Sequence, residues 1–156
     1  MLIQVERKIA AWMLRAAACA LAVSMLAAAA ASAETTPVGV WLHPNGRIQM
    51  EVFPCRDGLC AKLVWFKKPN DEDGRPRMDI NNPDPNLRAR PLLGLQVLHG
   101  LHPDGKGEWD DGQVYNPDDG DSYTVKMTIQ KDGTLRVRAY VLASLFGKTI
   151  VWTRVR

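Results

Sequence analysis

The chain lacks most of the features that would mark an enzyme or an integral membrane protein. It has three cysteines in 156 residues, and no Gly-x-Ser-x-Gly elbow or other catalytic signature. Its longest apolar run, 16–31, is about 16 residues long and falls short of the roughly 20 that a spanning helix needs. Beyond residue 33, no amphipathic helical pattern exceeds two turns. These absences argue against catalysis, a membrane anchor and a helical domain.

The first 33 residues have the layout of a secretory signal peptide. Basic residues precede the apolar run at Arg7, Lys8 and Arg15, and Ala31-Ser32-Ala33 forms a small-x-small cleavage site. Cys19 lacks the aliphatic neighbour of a lipoprotein box, so lipidation is a minor alternative. We therefore expect Sec export to the periplasm and cleavage after Ala33. Residues 34–156 then form a single domain without a transmembrane segment.

The charge of this predicted mature chain is nearly balanced. Removing residues 1–33 leaves 17 basic against 16 acidic side chains, so the precursor's pI of about 8.9 reflects mostly the leader. A near-neutral surface of mixed sign gives no electrostatic reason to expect nucleic acid or anionic lipid as a partner.

Two cysteines, Cys55 and Cys60, remain after cleavage. Pro54 and the pair Asp57-Gly58 predict a tight turn that brings the two thiols together. Because the periplasm is oxidising, we expect a structural disulfide. A redox-active pair is the alternative, but it would need Cys-x-x-Cys spacing in a helical context. Zinc is not expected, since the histidines have no ligand spacing with these thiols (His43, His99 and His102).

The rest of the chain alternates between apolar and polar residues with a period of two. One example is Ile48, Met50 and Val52, which are separated by polar side chains. Turn signals such as Asp132-Gly133 divide eight runs, at 38–43, 46–54, 59–67, 92–99, 108–116, 121–130, 134–142 and 148–154. This pattern predicts an all-β, eight-stranded antiparallel up-and-down barrel, with a two-sheet sandwich as the alternative.

One long polar connection, residues 67–90, breaks the rhythm of hairpins. Its proline and Asp-Gly content excludes a long strand or helix. We expect it to fold over one barrel mouth or to lie along the outside. Residues 86–95 leave room for one short helix or turn before the fourth strand.

Several blocks together resemble the bacterial exported family known as domain of unknown function 2147. The resemblance covers residues 38–154, and the blocks that carry it are Gly39-x-Trp41, Phe53-Pro54-Cys55, Asn82-Pro83-Asp84-Pro85, Arg88-x-Arg90-Pro91-Leu92-Leu93-Gly94-Leu95, Tyr115-Asn116-Pro117-x-Asp119-Gly120-x-x-Tyr123 and Trp152-Thr153-Arg154. It implies a lipocalin-like barrel with no established activity, in which Arg154 packs across Trp41 beside Gly39. The mature chain is shorter than a typical lipocalin and lacks its C-terminal helix, so the interior is either a small cavity or filled.

The best functional candidate is a polar block between Asp79 and Gly94. Its charged and amide groups, with two aromatic hydroxyls, are candidates to orient a ligand's polar group: Asp79, Asn82, Asp84, Arg88, Arg90, Tyr115 and Tyr123. The alternative is a self-capping loop whose side chains bond its own backbone. A calcium site at the acidic residues around Asp71 does not fit the EF-hand spacing. We expect no metal and no cofactor.

Three functions remain open from the sequence. The first is a non-enzymatic periplasmic barrel that binds a small, partly apolar ligand, with inward side chains such as Val125 and Val137 lining the pocket and residues 79–94 gating it. The second is an envelope module with a filled barrel that binds a protein through residues 67–90. The third is an enzyme with its site at the barrel mouth.

Overall fold

The computed structural model describes residues 36–141 and 147–156. They form eight antiparallel strands that close into a barrel, each strand pairing with the next and β8 pairing with β1. The strands are β1 Gly39–Leu42, β2 Ile48–Cys55, β3 Gly58–Phe66, β4 Gln96–Pro103, β5 Glu108–Asn116, β6 Asp121–Ile129, β7 Leu135–Tyr140 and β8 Gly147–Arg154. The predicted barrel is confirmed, and closure excludes the sandwich. Residue 142, the end of the predicted seventh strand, lies outside the described residues.

The inward face can be followed around the barrel through the strand pairs. Trp41 lies opposite Met50, and Val52 lies opposite Ala61, which in turn faces Leu98. These side chains are all buried in one apolar core. Because paired residues share a face and neighbours along a strand alternate, the register assigns strand positions to the inside or the outside, except at the register shifts in the β2–β3, β3–β4 and β5–β6 pairs.

The barrel has two different ends. We call the end that contains the β2–β3, β4–β5 and β6–β7 turns the floor. The opposite end, where β1 joins β2, β3 joins β4 and β5 joins β6, is the mouth. At the floor Arg154 lies over Trp41, with its guanidinium 4.3 Å from the ring centroid. The indole of Trp41 donates to the Pro37 carbonyl at 2.7 Å, and Arg154 donates to the carbonyls of Val38 and Thr36.

The fourth strand differs from the sequence prediction. Residues 92–95 are apolar but belong to the preceding connection, where Leu95 donates to the Leu92 carbonyl and Gly94 has a φ of 86°. Leu92 is buried against the core from outside any strand. The strand instead runs to Pro103, so His99 and His102 are exposed strand residues rather than loop residues.

Two smaller features complete the fold. Cys55 and Cys60 form the expected disulfide across the β2–β3 turn. The helix or turn expected within 86–95 is a single 3-10 turn over Pro85–Leu87, capped by the Asp84 side chain. None of the elements formed by residues 36–141 and 147–156 is a helix long and apolar enough to cross a bilayer.

Candidate functional site

The connection between β3 and β4 lies along the outside of the barrel. Tyr115 of β5 shows this, because its neighbour Val114 is paired with the inward residue Leu98. Tyr115 therefore points outward, and its hydroxyl contacts Asp79 of the connection. Of the two placements expected from the sequence, this contact supports the one along the outer wall.

Four of the predicted site residues meet in what we call the anchor cluster, namely Asp79, Asn82, Arg90 and Tyr115. The carboxylate of Asp79 is fully buried. Its Oδ1 accepts from the Tyr115 hydroxyl at 2.6 Å. Its Oδ2 accepts from Asn82 Nδ2 and from Arg90 Nε and Nη2, each at 2.8 Å. The amide of Asn82 also donates to the Tyr115 hydroxyl oxygen at 3.2 Å.

The cluster shifts the titration of its acidic members. Burial alone would raise the pKa of Asp79, but hydrogen bonds from Tyr115, Asn82 and Arg90 outweigh it and lower that pKa below its usual value. Burial, followed by the hydrogen bond to Asp79, raises the pKa of Tyr115. Asp79 is thus held as a carboxylate and Tyr115 as a neutral donor.

The remaining predicted ligand residues lie elsewhere. Asp84 caps the 3-10 turn by accepting from the Asn86 amide, and Arg88 Nε donates to the Asn82 carbonyl at 2.7 Å. Tyr123 is opposite Val114 on the inner face, and its hydroxyl donates to Asp119 at 2.9 Å. The seven residues do not form one site. Asp84 and Arg88 bond the connection's own backbone, as in a self-capping loop, whereas the anchor cluster is held by bonds between side chains. Their role in ligand binding stays a prediction.

A groove of about 530 Å³ separates the connection from the β5–β6 turn. Leu92 and Arg77 line it together with Met78 and Ile80, two apolar side chains that are 38% and 68% exposed. Asn81 joins its two sides by donating to the carbonyls of Pro117 and Asp118. The sequence does not predict this groove, because Pro117 and Asp118 of its wall are distant along the chain from the connection.

The inner face varies in accessibility along the barrel. Many inward side chains are fully or almost fully buried, among them Trp41, Phe66, Leu101, Met127 and Leu135. Near the floor, Leu59, Trp109 and Ile129 keep part of their surface accessible. Toward the mouth the partly accessible inward side chains are His43, Ile48, Val114, Tyr123, Val137, Ala139 and Ile150. The inner wall is therefore partly accessible toward both ends, with the larger set of such positions at the mouth.

One polar atom in this inner face stands out. The indole nitrogen of Trp152 is buried and has no hydrogen-bond partner among residues 36–141 and 147–156. The His43 ring meets the Trp152 ring edge-on, with centroids 4.8 Å apart. From the sequence, Trp152 is expected to be a structural residue and His43 is expected not to bind zinc, and neither is predicted to contact a ligand.

Metal-binding chemistry finds no support in the same residues. Within 36–141 and 147–156, no group of three or more His, Cys, Asp or Glu side chains is placed to hold a metal ion.

A closed eight-stranded barrel with an arginine stacked on a floor tryptophan is a lipocalin-like protein. The chain belongs to the family described as uncharacterized protein conserved in bacteria (DUF2147), which matches residues 39–154. Its structure is similar to that of protein HP1028 from Helicobacter pylori, described as a member of the lipocalin family, with 26% identity and a TM-score of 0.66. The match covers 78% of this chain and 84% of that one. A search of curated proteins finds no match.

Proposed function

We propose that this protein is a non-enzymatic carrier that binds one small, largely apolar molecule in the mouth half of its barrel. The observation that carries the proposal is the set of partly accessible, mostly aliphatic inward side chains toward the mouth of the barrel. An eight-stranded barrel is just wide enough to be filled by side chains or to hold one small ligand, as lipocalins do.

The chemistry of the accessible wall defines the ligand class. Five of the partly accessible inward residues are aliphatic, and the polar ones include His43 and Tyr123, with Lys148 and the Asn116–Asp121 pair at the rim. A wall of this kind favours apolar surface and offers few polar contacts. The similarity to a lipocalin-family structure supports the same class of function.

Two neighbouring positions allow a matched test of the site. Ala139 lies opposite the fully buried Val125, so its side chain faces the interior. Val151 of β8 faces outward and is 45% exposed. Ala139→Phe adds a ring inside the mouth, whereas Val151→Phe adds a similar volume outside.

The experiment measures binding of a fluorescent apolar probe, N-phenyl-1-naphthylamine, to the purified protein and to both variants. We expect Ala139→Phe to weaken binding at least ~10-fold, because the added ring takes up ligand space, while Val151→Phe changes it less than ~2-fold. Native mass spectrometry of the purified protein would identify a natural ligand. Equal probe affinity for the two variants would contradict the proposal.

We also propose that the carrier works in the periplasm. The leader pattern of residues 1–33 supports export, and the Cys55–Cys60 disulfide suits an oxidising compartment.

A second candidate function is recognition of a protein partner at the outer groove. It is favoured by the exposure of Met78 and Ile80 beside a concave surface. The test is chemical cross-linking of the protein to its envelope partner. We expect Ile80→Ser to abolish this cross-linking without changing probe binding in the barrel. Loss of probe binding in this variant would count against a separate outer site.

A further inference from the structure

The inner wall contains a hydrogen-bond donor that nothing described in the protein satisfies. Trp152 lies opposite the fully buried Leu135, so its ring faces the interior, and only 9% of the residue is exposed. Its indole nitrogen donates to no atom of residues 36–141 and 147–156. A buried donor without an acceptor costs about 1–3 kcal/mol, which makes such groups rare in folded proteins.

His43, whose ring packs against Trp152, does not supply that acceptor. His43 Nδ1 accepts a hydrogen bond from the Asn45 amide at 3.2 Å. In a neutral imidazole with Nδ1 as the acceptor, the proton is on Nε2. Trp152 and His43 therefore contribute two N–H donors to the same part of the inner wall.

These donors lie one inward position along β8 from Arg154, on the side toward the mouth. Along β8, Arg154 covers Trp41 at the floor, and Trp152 is the next inward residue toward the mouth. Ile150 and then Lys148 follow on the same face, opposite Val137 and Ala139. A ligand that fills the accessible part of the wall has its inner end next to Trp152, and it bonds the buried indole nitrogen when the side chains that cover that atom move aside.

From this arrangement we infer that the ligand carries an oxygen acceptor, a carboxylate or carbonyl, at its buried end and donates none of its own protons there. The acceptor bonds Trp152 Nε1, with His43 Nε2 as the second donor, and the apolar remainder lies along Val137, Ala139 and Ile150. Lys148 adds an exposed cation at the mouth and no acceptor. This inference rests on the proposed binding function and specifies the ligand class for the same interior.

Three probes, each with a ten-carbon chain, distinguish the possibilities by their head groups. Decanoate carries a carboxylate, 2-decanone a neutral carbonyl, and decyltrimethylammonium has a similar apolar chain but no acceptor. The first readout is the indole ¹H–¹⁵N signal of Trp152 in the unaltered protein, assigned by triple-resonance spectra. We expect decanoate or 2-decanone to move this signal downfield, as hydrogen bonding does, and decyltrimethylammonium to leave it in place.

Affinity measurements on variants give the second readout. Trp152→Phe removes the donor, and we expect it to weaken binding of the acceptor probes about 2- to 10-fold, the value of one hydrogen bond. Trp109→Phe is the matched control, since Trp109 lies opposite Met127 near the floor, and we expect unchanged affinity. His43→Phe keeps an aromatic ring against Trp152, removes the second donor and tests the site without altering the indole.

The outcomes separate this inference from the proposed function. If all three probes bind equally and the Trp152 signal stays in place, the acceptor site is wrong while the carrier function stands. If none of the probes binds, both are overturned. The inference is supported if Trp152→Phe and His43→Phe bind the acceptor probes more weakly while Trp109→Phe binds them normally. A similar loss of affinity in Trp109→Phe contradicts it.

Discussion

The hydroxyl of Tyr115 donates a 2.6 Å hydrogen bond to Oδ1 of Asp79, a carboxylate with no exposed surface. The two residues are far apart in sequence, one on the outer face of β5 and the other in the connection before β4. Their contact holds that connection against the barrel wall. Burying a carboxylate costs free energy unless its oxygens are hydrogen-bonded or paired with a cation. Here Tyr115, Asn82 and Arg90 supply the hydrogen bonds.

Removing the Tyr115 hydroxyl tests this anchor. We expect Tyr115→Phe to lower the free energy of unfolding by about 1.5–3 kcal/mol, because a hydrogen bond to a buried charge is lost. Tyr123→Phe is the control, since its hydroxyl bonds the exposed Asp119, and its loss is expected to be smaller. Urea denaturation of the two variants measures the difference. Equal losses would show that Tyr115 is not the stronger anchor.

The same pair predicts how stability depends on pH. The pKa of Asp79 is lowered in the folded protein, so its contribution is complete above its unfolded value and is lost as pH falls through the lowered pKa. The pKa of Tyr115 is raised, so its contribution is present below about pH 10 and is lost as pH rises through the raised pKa.

Denaturation of Tyr115→Phe across pH checks both signs. Between about pH 5 and pH 2 we expect the stability of Tyr115→Phe to fall less than that of the unaltered protein, because Asp79 has lost the Tyr115 hydrogen bond that lowers its pKa. At alkaline pH we expect the variant to lose less stability than the unaltered protein. Some loss remains, since the pKa values of Tyr123 and Tyr140 are also raised. An unchanged acid limb would mean that Tyr115 does not lower the pKa of Asp79.

The sequence predicted the barrel well because its signals are local. A strand such as β6 shows a period of two over Tyr123, Val125 and Met127, and the hairpin turns carry their own Asp-Gly signals. The fourth strand was misplaced because Leu92 and Leu95 are apolar for another reason. They belong to a connection that packs against the core. Apolar content alone does not distinguish such a connection from a buried strand.

The candidate site was less predictable for a physical reason. Tyr115 and Tyr123 are close in sequence and share one motif, yet strand alternation and the hairpin place them on opposite faces of the wall. The proximity of Trp152 to His43 depends on closure between β8 and β1, which no local pattern reports. Contacts made by closure appear only in the folded barrel.

The disulfide is predicted to be a modest staple. The loop between Cys55 and Cys60 is short, with a sequence separation of 5, so its loss costs about 2 kcal/mol by loop-closure entropy. We expect Cys55→Ser/Cys60→Ser to fold with its melting temperature reduced and its probe binding retained. Loss of probe binding in a folded double variant would instead give the bridge a role in the site.

Export predicts a defined processing product. If residues 1–33 are a signal peptide, the intact mass of the protein recovered from periplasm corresponds to a chain that begins at Glu34. Ala33→Trp places a large residue at the cleavage position, and we expect the precursor to accumulate. An unprocessed chain recovered only with the cytoplasmic fraction would contradict the predicted location.

Gly120 provides a sharp test of how the outer connection is attached. It has a φ of 79°, and a Cβ at this position would collide with the Asn81 carbonyl of the connection. Gly133 has a φ of 80° in another hairpin turn, but a Cβ there meets nothing within 4 Å. Gly133→Ala therefore lowers the free energy of unfolding only by the strain of an alanine in the left-handed conformation, about 1 kcal/mol.

Gly120→Ala adds the collision to the same strain, and we expect a total loss of about 2–4 kcal/mol. Because Asn81 would also lose its bonds to Pro117 and Asp118, hydrogen exchange is expected to increase within 77–92 in this variant alone. Equal destabilisation of the two alanine variants would mean that the connection moves aside at no cost. The connection would then be loosely held at this turn, and the anchor cluster and the packing of Leu92 would fix it to the barrel.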